Sequence, residues 1–476
     1  MSITLSRPRV ESPNTELHAG SLGTGSIVFM VVAAAAPLTV IAGALPLGIA
    51  LGNGPGYPAM YAVSAILLGL FSVGLTTMSK HLAEPGAFYS YVEAAFGRKP
   101  GIGTAYLALL TYTTIQLSVY GYLGASLAAL CAPIIALPWW IYTLAMVAVV
   151  GFLGYRRIEL SSKALGVLLI SEIAIVVLID VFVVGRGAAA QSLNLESFTP
   201  DAIGSGAPGI GLMLALAGFI GFEATTVFRA EAKDPDRVIP RATYISVAII
   251  GIFYTVSAWA IVQAWGTDAV VAAASEDPEG LVMATAVHYL GPWAGHVVQV
   301  LLITSLFAAV LSFHNVLARY QHAISHKRGL PRQLRRVHDT YESPHLSSLV
   351  QSLTASVLVL ACALVGLDPV LQVFTWFSGV ATFSIVVLML LTSAAIIAFF
   401  RGRQDLNLNL WQSTIAPQLS AVGLAVALYL VASNLSVLVD STLIAGIILA
   451  GVPALFVAGW CFGTVIPEHD RAEQHA

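Results

Sequence analysis

Glu172 is the side chain in this sequence best placed to bind a proton, a cation or a substrate amine. It lies in the apolar stretch SSKALGVLLISEIAIVVLI, about 20 Å from the inner end of a predicted helical span at 159–185. If the stretch crosses a membrane, a charged carboxylate at mid-depth costs at least ~2.5 kcal/mol. We therefore expect Glu172 to bind a proton, a sodium ion or an amine. The alternative is a protonated, hydrogen-bonded acid with a structural role.

A second carboxylate, Glu223, follows two glycines in LALAGFIGFEA. Gly218 and Gly221 flank Phe219 and Ile220. They mark either a close helix contact or a break that frees backbone amides and carbonyls for a ligand. Beside such a break, Glu223 would act as a titrating or gating carboxylate, unless it forms a salt bridge to a neighbouring loop. The pattern predicts that Gly218, Phe219 and Gly221 shape a substrate site.

Proline marks a second interruption in the apolar segment VVAAAAPLTVIAGALPLG. Pro37 removes a backbone donor and clashes with the preceding turn, so the helix should kink or unwind there. Thr39 would supply a hydroxyl, and the small side chains of Ala35 and Ala36 would let a ligand approach the backbone. A plain proline kink remains the alternative.

Several other segments carry polar or aromatic side chains that could complete a site. Ser305, Ser312 and Asn315 recur at helical spacing, and Ser312 in particular could share a proton or sodium site with Glu172. For each residue taken singly, an interhelical hydrogen bond is the more common role of such a polar group. We also assign Gln116 and Phe307 to the substrate site and Trp376 to an outer gate, although Trp376 could instead belong to an interfacial aromatic belt.

The composition shows what must position these residues. Hydrophobic residues make up 57% of the 476 positions and charged residues only 10%, and mean hydropathy is +0.84. Soluble domains carry about 25% charged residues. The sequence therefore predicts an all-α polytopic membrane protein with twelve transmembrane helices. The predicted segments are 23–51, 57–79, 101–129, 138–155, 159–185, 208–228, 241–265, 291–323, 346–366, 369–399, 413–432 and 441–465, with amphipathic helices at 86–97 and 276–290.

Basic residues fix the expected orientation. With the N-terminus in the cytoplasm, every Lys and Arg of the 22 except Arg186 falls on the cytoplasmic side. The loop 266–290 then lies outside and carries only acidic charges. The sorting predicts an integral multi-pass protein of the cytoplasmic membrane with both termini in the cytoplasm.

The two interrupted segments are the first and the sixth, five spans apart. An odd number of spans per half gives two halves of opposite orientation, and paired interruptions in such halves indicate a transporter's binding site. The expected divisions are an N-terminal tail at 1–20, a ten-helix transport core at 21–400 with repeats 21–185 and 208–400, helices 11 and 12 at 401–466, and a C-terminal tail at 467–476.

Enzyme motifs are missing from the sequence. It contains no Walker loop, no zinc-ligand spacing and no GxSxG elbow. We expect no cofactor and no metal other than a transported ion. Without a nucleotide site, a proton or sodium gradient would drive transport. Nucleic acid is not an expected partner, and the oligomeric state is open.

Three stretches resemble the amino acid–polyamine–organocation permeases. FIGFEATTVFRAEAKDPDRVIPRA resembles that family's sixth-span signature, SFHNVLARYQHAISHKRGLPRQLRRVHDTYESPHLSSL the end of its eighth span and the loop that follows, and HLAEPGAFYSYVEAAFG the loop after its second span. The resemblance implies a leucine-transporter-like five-plus-five inverted repeat with broken helices 1 and 6, plus two C-terminal helices. It also implies alternating access, substrate held between the breaks, and a gating or coupling role for Glu223.

The sequence departs from that family at two places. A Gly-Ser-Gly-Ile-like run, whose amides hold a substrate carboxylate in the family, is replaced by Ala34-Ala35-Ala36-Pro37-Leu38-Thr39. Glu172 falls near a position where many members carry a lysine. We predict a permease that imports an amino acid or related amine with protons. A polyamine or amino-alcohol transporter or exchanger is the alternative, and a non-transporting membrane sensor a more distant one.

Overall fold

A computed structural model describes residues 22–82, 88–156, 162–186, 193–326, 329–338, 340–341, 343–403, 406 and 409–465. These ranges contain helices and connecting turns, and their β-structure is limited to an isolated bridge between Leu22 and Ala232. The predicted tails at 1–20 and 467–476 lie outside the described residues.

The first half of the chain contains an interrupted helix followed by regular ones. The α-helices are α1 (Thr24–Ala34), α2 (Pro37–Thr39), α3 (Leu45–Leu47), α4 (Tyr57–Ser79), α5 (Phe88–Phe96), α6 (Arg98–Cys131), α7 (Trp139–Tyr155) and α8 (Ser162–Arg186). Between α2 and α4, two π-helical segments, Val40–Ala44 and Gly48–Asn53, lie on either side of α3. A 3₁₀ turn at Gly54–Gly56 follows them.

The second half also begins with an interrupted helix. Its α-helices are α9 (Pro200–Gly204), α10 (Pro208–Ala217), α11 (Pro235–Trp265), α12 (Val270–Glu276), α13 (Leu281–Leu290), α14 (Pro292–His326), α15 (His345–Val365), α16 (Thr375–Arg401), α17 (Ala416–Leu438) and α18 (Thr442–Val465). A 3₁₀ helix, Phe222–Glu231, follows α10, and π segments at Pro369–Phe374 and Trp411–Ile415 precede α16 and α17.

Ten helical stretches of the described chain are long and apolar enough to cross a membrane. The protein is therefore an all-helical integral membrane protein with multiple spans. The count differs from twelve for two reasons. The predicted first and second spans form one continuous stretch, Thr24–Ser79, and the predicted fourth span is α7, whose 17 residues make it a shorter apolar helix. The twelve-helix count and the inverted repeat stay predictions.

Helix α6 lies at the centre of the described packing, against α14, α16 and α18. The interrupted segments lie beside it. Helix α1 packs against α11, and the short α2 contacts both α8 and α14. This arrangement brings the Pro37 region next to the helices that carry Glu172 and Ser305.

An acidic group outside the predicted spans occupies the connection between α12 and α13. Burial, together with the nearby carboxylates of Asp368 and Asp277, raises the pKa of Glu279 from 4.5 to about 7. A carboxyl with a higher pKa in the folded state holds its proton more tightly when folded. Glu279 therefore favours folding at low pH, and that contribution is lost as the pH rises from the unfolded value to about 7.

We expect Glu279→Gln to raise the thermal unfolding temperature at about pH 8 and to have little effect at about pH 4, where the carboxyl is protonated in both states. Unfolding of the detergent-purified protein across this range measures the difference. Glu196→Gln, which changes an exposed carboxylate in another connection, is the control. If the unfolding temperatures of Glu279→Gln and wild type differed by the same amount at every pH, the raised pKa of Glu279 would be contradicted.

Candidate functional site

The first interruption is centred on Ala36. Helix α1 ends at Ala34, Ala36 adopts a left-handed conformation with φ of 46°, and α2 begins at Pro37. That conformation costs a residue with a Cβ about 1–2 kcal/mol, so the surrounding contacts must hold it. One such contact is the hydroxyl of Tyr254, which donates to the carbonyl of Ala35 at 3.2 Å.

The second interruption is centred on Gly221. Helix α10 ends at Ala217, a turn follows, and Gly221 has φ of 112° before the 3₁₀ helix Phe222–Glu231 begins. Glycine reaches this region without the steric penalty that a Cβ brings. Both predicted interruptions are therefore present, and each contains a residue with positive φ.

A cavity of about 40 Å³ lies between the two interruptions. Small side chains line it on the side of the breaks, and apolar side chains of α6 and α14 line it opposite. Thr39 and Ser378 are its polar side chains. The lining residues are Ala34, Ala35, Ala36, Thr39, Val40, Ala44, Ile115, Val119, Leu214, Ala217, Gly218, Ile220, Ala309, Phe313, Phe374 and Ser378.

Glu172 joins three helices directly behind the first interruption. The hydroxyl of Ser305 donates to the Glu172 carboxylate at 2.8 Å, and Thr39 donates to Ser305 at 3.2 Å. The backbone amide of Leu38 interacts with the same carboxylate. Glu172 is only 4% exposed. Its contacts connect α8 to α14 and to the start of α2, with Thr39 between the carboxylate and the cavity.

Glu223 makes a comparable set of contacts at the second interruption. It accepts a hydrogen bond from the hydroxyl of Tyr112 at 2.5 Å and one from the backbone amide of Gly221 at 2.9 Å. The expected alternative of a salt bridge does not apply to the described contacts of Glu223. Arg229, in the same 3₁₀ helix, pairs instead with Asp236 of α11. Glu223 thus fastens the broken segment to α6.

Aromatic side chains adjoin the cavity at two places. At the first, Phe313 lines the cavity and packs against Tyr112, which packs against Tyr320 with ring centroids 5.5 Å apart. At the second, Phe374 lines the cavity and packs against Tyr122 at 5.1 Å, and Tyr122 donates a hydrogen bond to the carbonyl of Ala42 at 3.0 Å. Each aromatic pair thus lies next to the cavity lining.

Half of the predicted substrate-site residues line this cavity. Ala35, Ala36, Thr39 and Gly218 do so. The residues that are absent from the lining within the described chain are Gln116, Phe219, Gly221 and Phe307.

Packing explains two of these differences. The Gln116 amide donates to the carbonyl of Val310 at 3.2 Å and accepts from Gln351 at 2.7 Å, in a buried interhelical contact. Phe219 points away from the cavity and packs edge-on against Tyr254 at 5.8 Å. Gly221 shapes the turn without reaching the cavity, and Phe307 is a half-buried residue of α14.

Of the predicted coupling and gating residues, Glu172 and Glu223 make the contacts described above, whereas Ser312 and Trp376 lie away from them. The serine that contacts Glu172 is Ser305 rather than Ser312, which lies two turns further along α14, about 10 Å along the axis. Trp376 is half-buried at the start of α16, while Phe374, two residues earlier, lines the cavity. A functional part for Ser312 and Trp376 stays a prediction.

Three residues near these contacts were not identified from the sequence. Buried Tyr112 and half-buried Tyr320 form the aromatic pair beside Glu223. Asp180 lies eight residues after Glu172 on α8, is 8% exposed, and accepts a hydrogen bond from Ser257 at 2.7 Å. An acid within an apolar span is a readable signal for Asp180. A tyrosine in a membrane segment carries no comparable signal.

A comparison with known protein families identifies the family of this chain. A family model described as amino acid permease matches residues 22–453. The chain belongs to the amino acid permease family. This confirms the resemblance on which the sequence interpretation depended, and with the apolar helices it makes the chain an integral multi-pass membrane protein of a transporter family.

Individual relatives are distant. The chain is 26% identical to the cationic amino acid transporter 7, chloroplastic, of Arabidopsis thaliana, over 64% of this chain and 55% of that protein. It is 28% identical to a probable GABA permease of Pseudomonas aeruginosa, over 47% and 50%. It is 22% identical to the low-affinity putrescine importer PlaP of Escherichia coli, over 41% and 44%. The chain spans about half the length of these curated relatives.

Proposed function

We propose that this permease moves an amino acid or a related amine across the cytoplasmic membrane by alternating access, with uptake coupled to protons. The observation that carries the proposal is the cavity between two helix interruptions. Interrupted helices supply backbone groups for a ligand at a depth where an unbroken helix has none to spare. The relatives' names, which include amino acids, GABA and putrescine, support the same broad substrate class.

The two aromatic pairs would serve as the gates. With the N-terminus in the cytoplasm, the Tyr112–Tyr320 pair would close the cytoplasmic end and the Tyr122–Phe374 pair the outer end. Opening one pair while the other stays packed would expose the cavity to a single side. Glu223 connects the inner pair to the turn at Gly221, so its hydrogen bonds would couple that gate to the substrate.

Glu172 would provide the coupling site. Its carboxylate connects three helices, one of which begins at the first interruption. A proton bound there would change the hydrogen bonds that hold Thr39, a cavity residue, and so would alter the site's shape. The proposal includes the five-plus-five repeat, in which α1 with α2 corresponds to α10 with the 3₁₀ helix that follows it.

Uptake into proteoliposomes tests the proposal. We expect labelled amines or amino acids to accumulate above equilibrium under an inward proton gradient and to equilibrate when a protonophore is added. Gly218→Val should abolish the flux, because a Cβ at Gly218 already meets Val40 at 2.9 Å and Tyr254 at 3.3 Å. Gly69→Ala, at a glycine with no atom within 4 Å of the added Cβ, is the matched control. Specific binding with no flux in any gradient would contradict a transport function.

A further inference from the structure

The cavity presents the negative ends of two helices. Helix α1 ends at Ala34 and α10 ends at Ala217, and both residues line the cavity. The last carbonyls of a helix have no partner within the helix, and their aligned dipoles give this end a partial negative charge. After α10, the amides of Gly218, Phe219 and Ile220 donate to the carbonyls of Ala215, Leu216 and Ala217. A carbonyl oxygen has a second lone pair and can accept again, so two such ends beside one small apolar space favour a cation there.

The positive ends of the broken helices are already occupied by the protein's own carboxylates. Behind the first break Pro37 has no amide hydrogen, and the amide of the next residue, Leu38, faces Glu172. At the second break the amide of Gly221 donates to Glu223 at 2.9 Å. A substrate carboxylate would therefore have to displace Glu223 or Glu172 from the amides that could bind it.

The remainder of the lining offers no replacement for those amides. The lining residues in the described chain include no Lys, Arg or His. Of its two hydroxyls, Thr39 donates to Ser305, and Ser378 shares a hydrogen bond of 2.6 Å with Ser118. A carboxylate placed in this cavity would lose its hydration without gaining a cationic partner, which is strongly unfavourable.

We infer that the preferred substrate is a protonated amine that carries no carboxylate, and that a carboxylate on the same carbon skeleton weakens binding. This inference rests on the proposed transport function and narrows it. The ammonium group would lie among the carbonyls at the ends of α1 and α10, and the apolar part of the molecule against Ile115, Val119 and Phe313.

Matched ligand pairs test the inference. The probes are leucine with 3-methylbutylamine, phenylalanine with 2-phenylethylamine, and ornithine with 1,4-diaminobutane. In each pair the two molecules differ by one carboxylate. The methyl esters of leucine and phenylalanine serve as size controls, since they keep the bulk of the carboxyl group and remove its charge. Thermal stabilisation of the purified protein measures binding, and proteoliposome uptake measures flux.

We expect at least one amine to bind about tenfold or more tightly than its amino acid, a difference within reach of two partly buried helix ends. The matching ester should bind more tightly than the amino acid. An amino acid that binds as well as its amine, or better, would overturn the inference and leave the transport proposal intact. Binding of an amine without flux would instead contradict transport. No binding or flux with any probe would count against both.

A substitution tests whether the carboxylate of Glu223 causes the preference for amines over amino acids. Glu223→Gln keeps an oxygen that can accept from the Gly221 amide but removes the negative charge, so the ratio of amine to amino-acid affinity should fall severalfold. Glu196→Gln, which changes an exposed carboxylate in the connection between α8 and α9, should leave that ratio unchanged. An unchanged ratio in Glu223→Gln would overturn the part that we assign to its carboxylate.

Discussion

Glu172→Gln should abolish proton-driven accumulation of substrate, so that the internal concentration rises only to the external one. The substituted amide can still accept from Ser305, so the contact among α2, α8 and α14 should persist and the protein should fold. What is lost is a group that can bind and release a proton. Substrate exchange across the membrane without a gradient should therefore survive in this variant.

Accumulation under an imposed pH gradient and exchange at equal pH are measured in the same proteoliposomes. Asp180→Asn is the matched comparison, since Asp180 is also a buried acid of α8 but contacts Ser257 of α11 instead of the first interruption. It should retain coupled uptake. Accumulation by Glu172→Gln that equals wild type across pH and sodium concentration would remove Glu172 from the coupling mechanism.

The helix interruptions were accessible from the sequence because their causes are local. Pro37 cannot continue a helical hydrogen-bond ladder, and glycines at 218 and 221 lower helix stability. The residue that turns at the first break was not accessible in this way. Ala36 is an excellent helix former, and its left-handed conformation is imposed by the proline that follows and by tertiary contacts such as the one from Tyr254.

The absence of some predicted residues from the cavity lining has a different cause. Gln116 and Phe219 lie on the correct segments, but their side chains point to other helices. On helices that are buried nearly all round, hydrophobic periodicity does not identify which face meets the cavity. That choice depends on helix crossing angles and on neighbours distant in sequence.

Which serine, Ser305 or Ser312, contacts Glu172 depends on the position of each serine along the axis of α14. Their separation of seven residues puts them on nearly the same face of α14, so the periodicity could not separate them. Only the height at which α14 passes α8 decides which serine meets Glu172, and the structure places Ser305 there. The polar network at the site is thus a product of packing, even though each of its members is visible in the sequence.

Gly221→Ala should lower the free energy of unfolding by about 1–2 kcal/mol and reduce uptake about tenfold. The cause is conformational, because a residue with a Cβ resists the φ of 112° that Gly221 adopts. A steric clash is not involved, since the nearest atom to the added Cβ is that of Ala34 at 3.8 Å. Relaxation of the turn would withdraw the Gly221 amide from Glu223 and loosen the contact of that carboxylate with Tyr112.

Thermal unfolding and initial uptake rates of the purified variant measure the two effects. Gly69→Ala provides the matched control, because Gly69 lies within α4 and nothing approaches its added Cβ within 4 Å. Gly69→Ala should leave uptake unchanged. Its free energy of unfolding should be equal or slightly higher, as expected for a glycine replaced inside a helix. If Gly221→Ala matched that control in both measurements, the left-handed turn could not be what positions Glu223, and the gate would have to depend on Tyr112 and its aromatic neighbours alone.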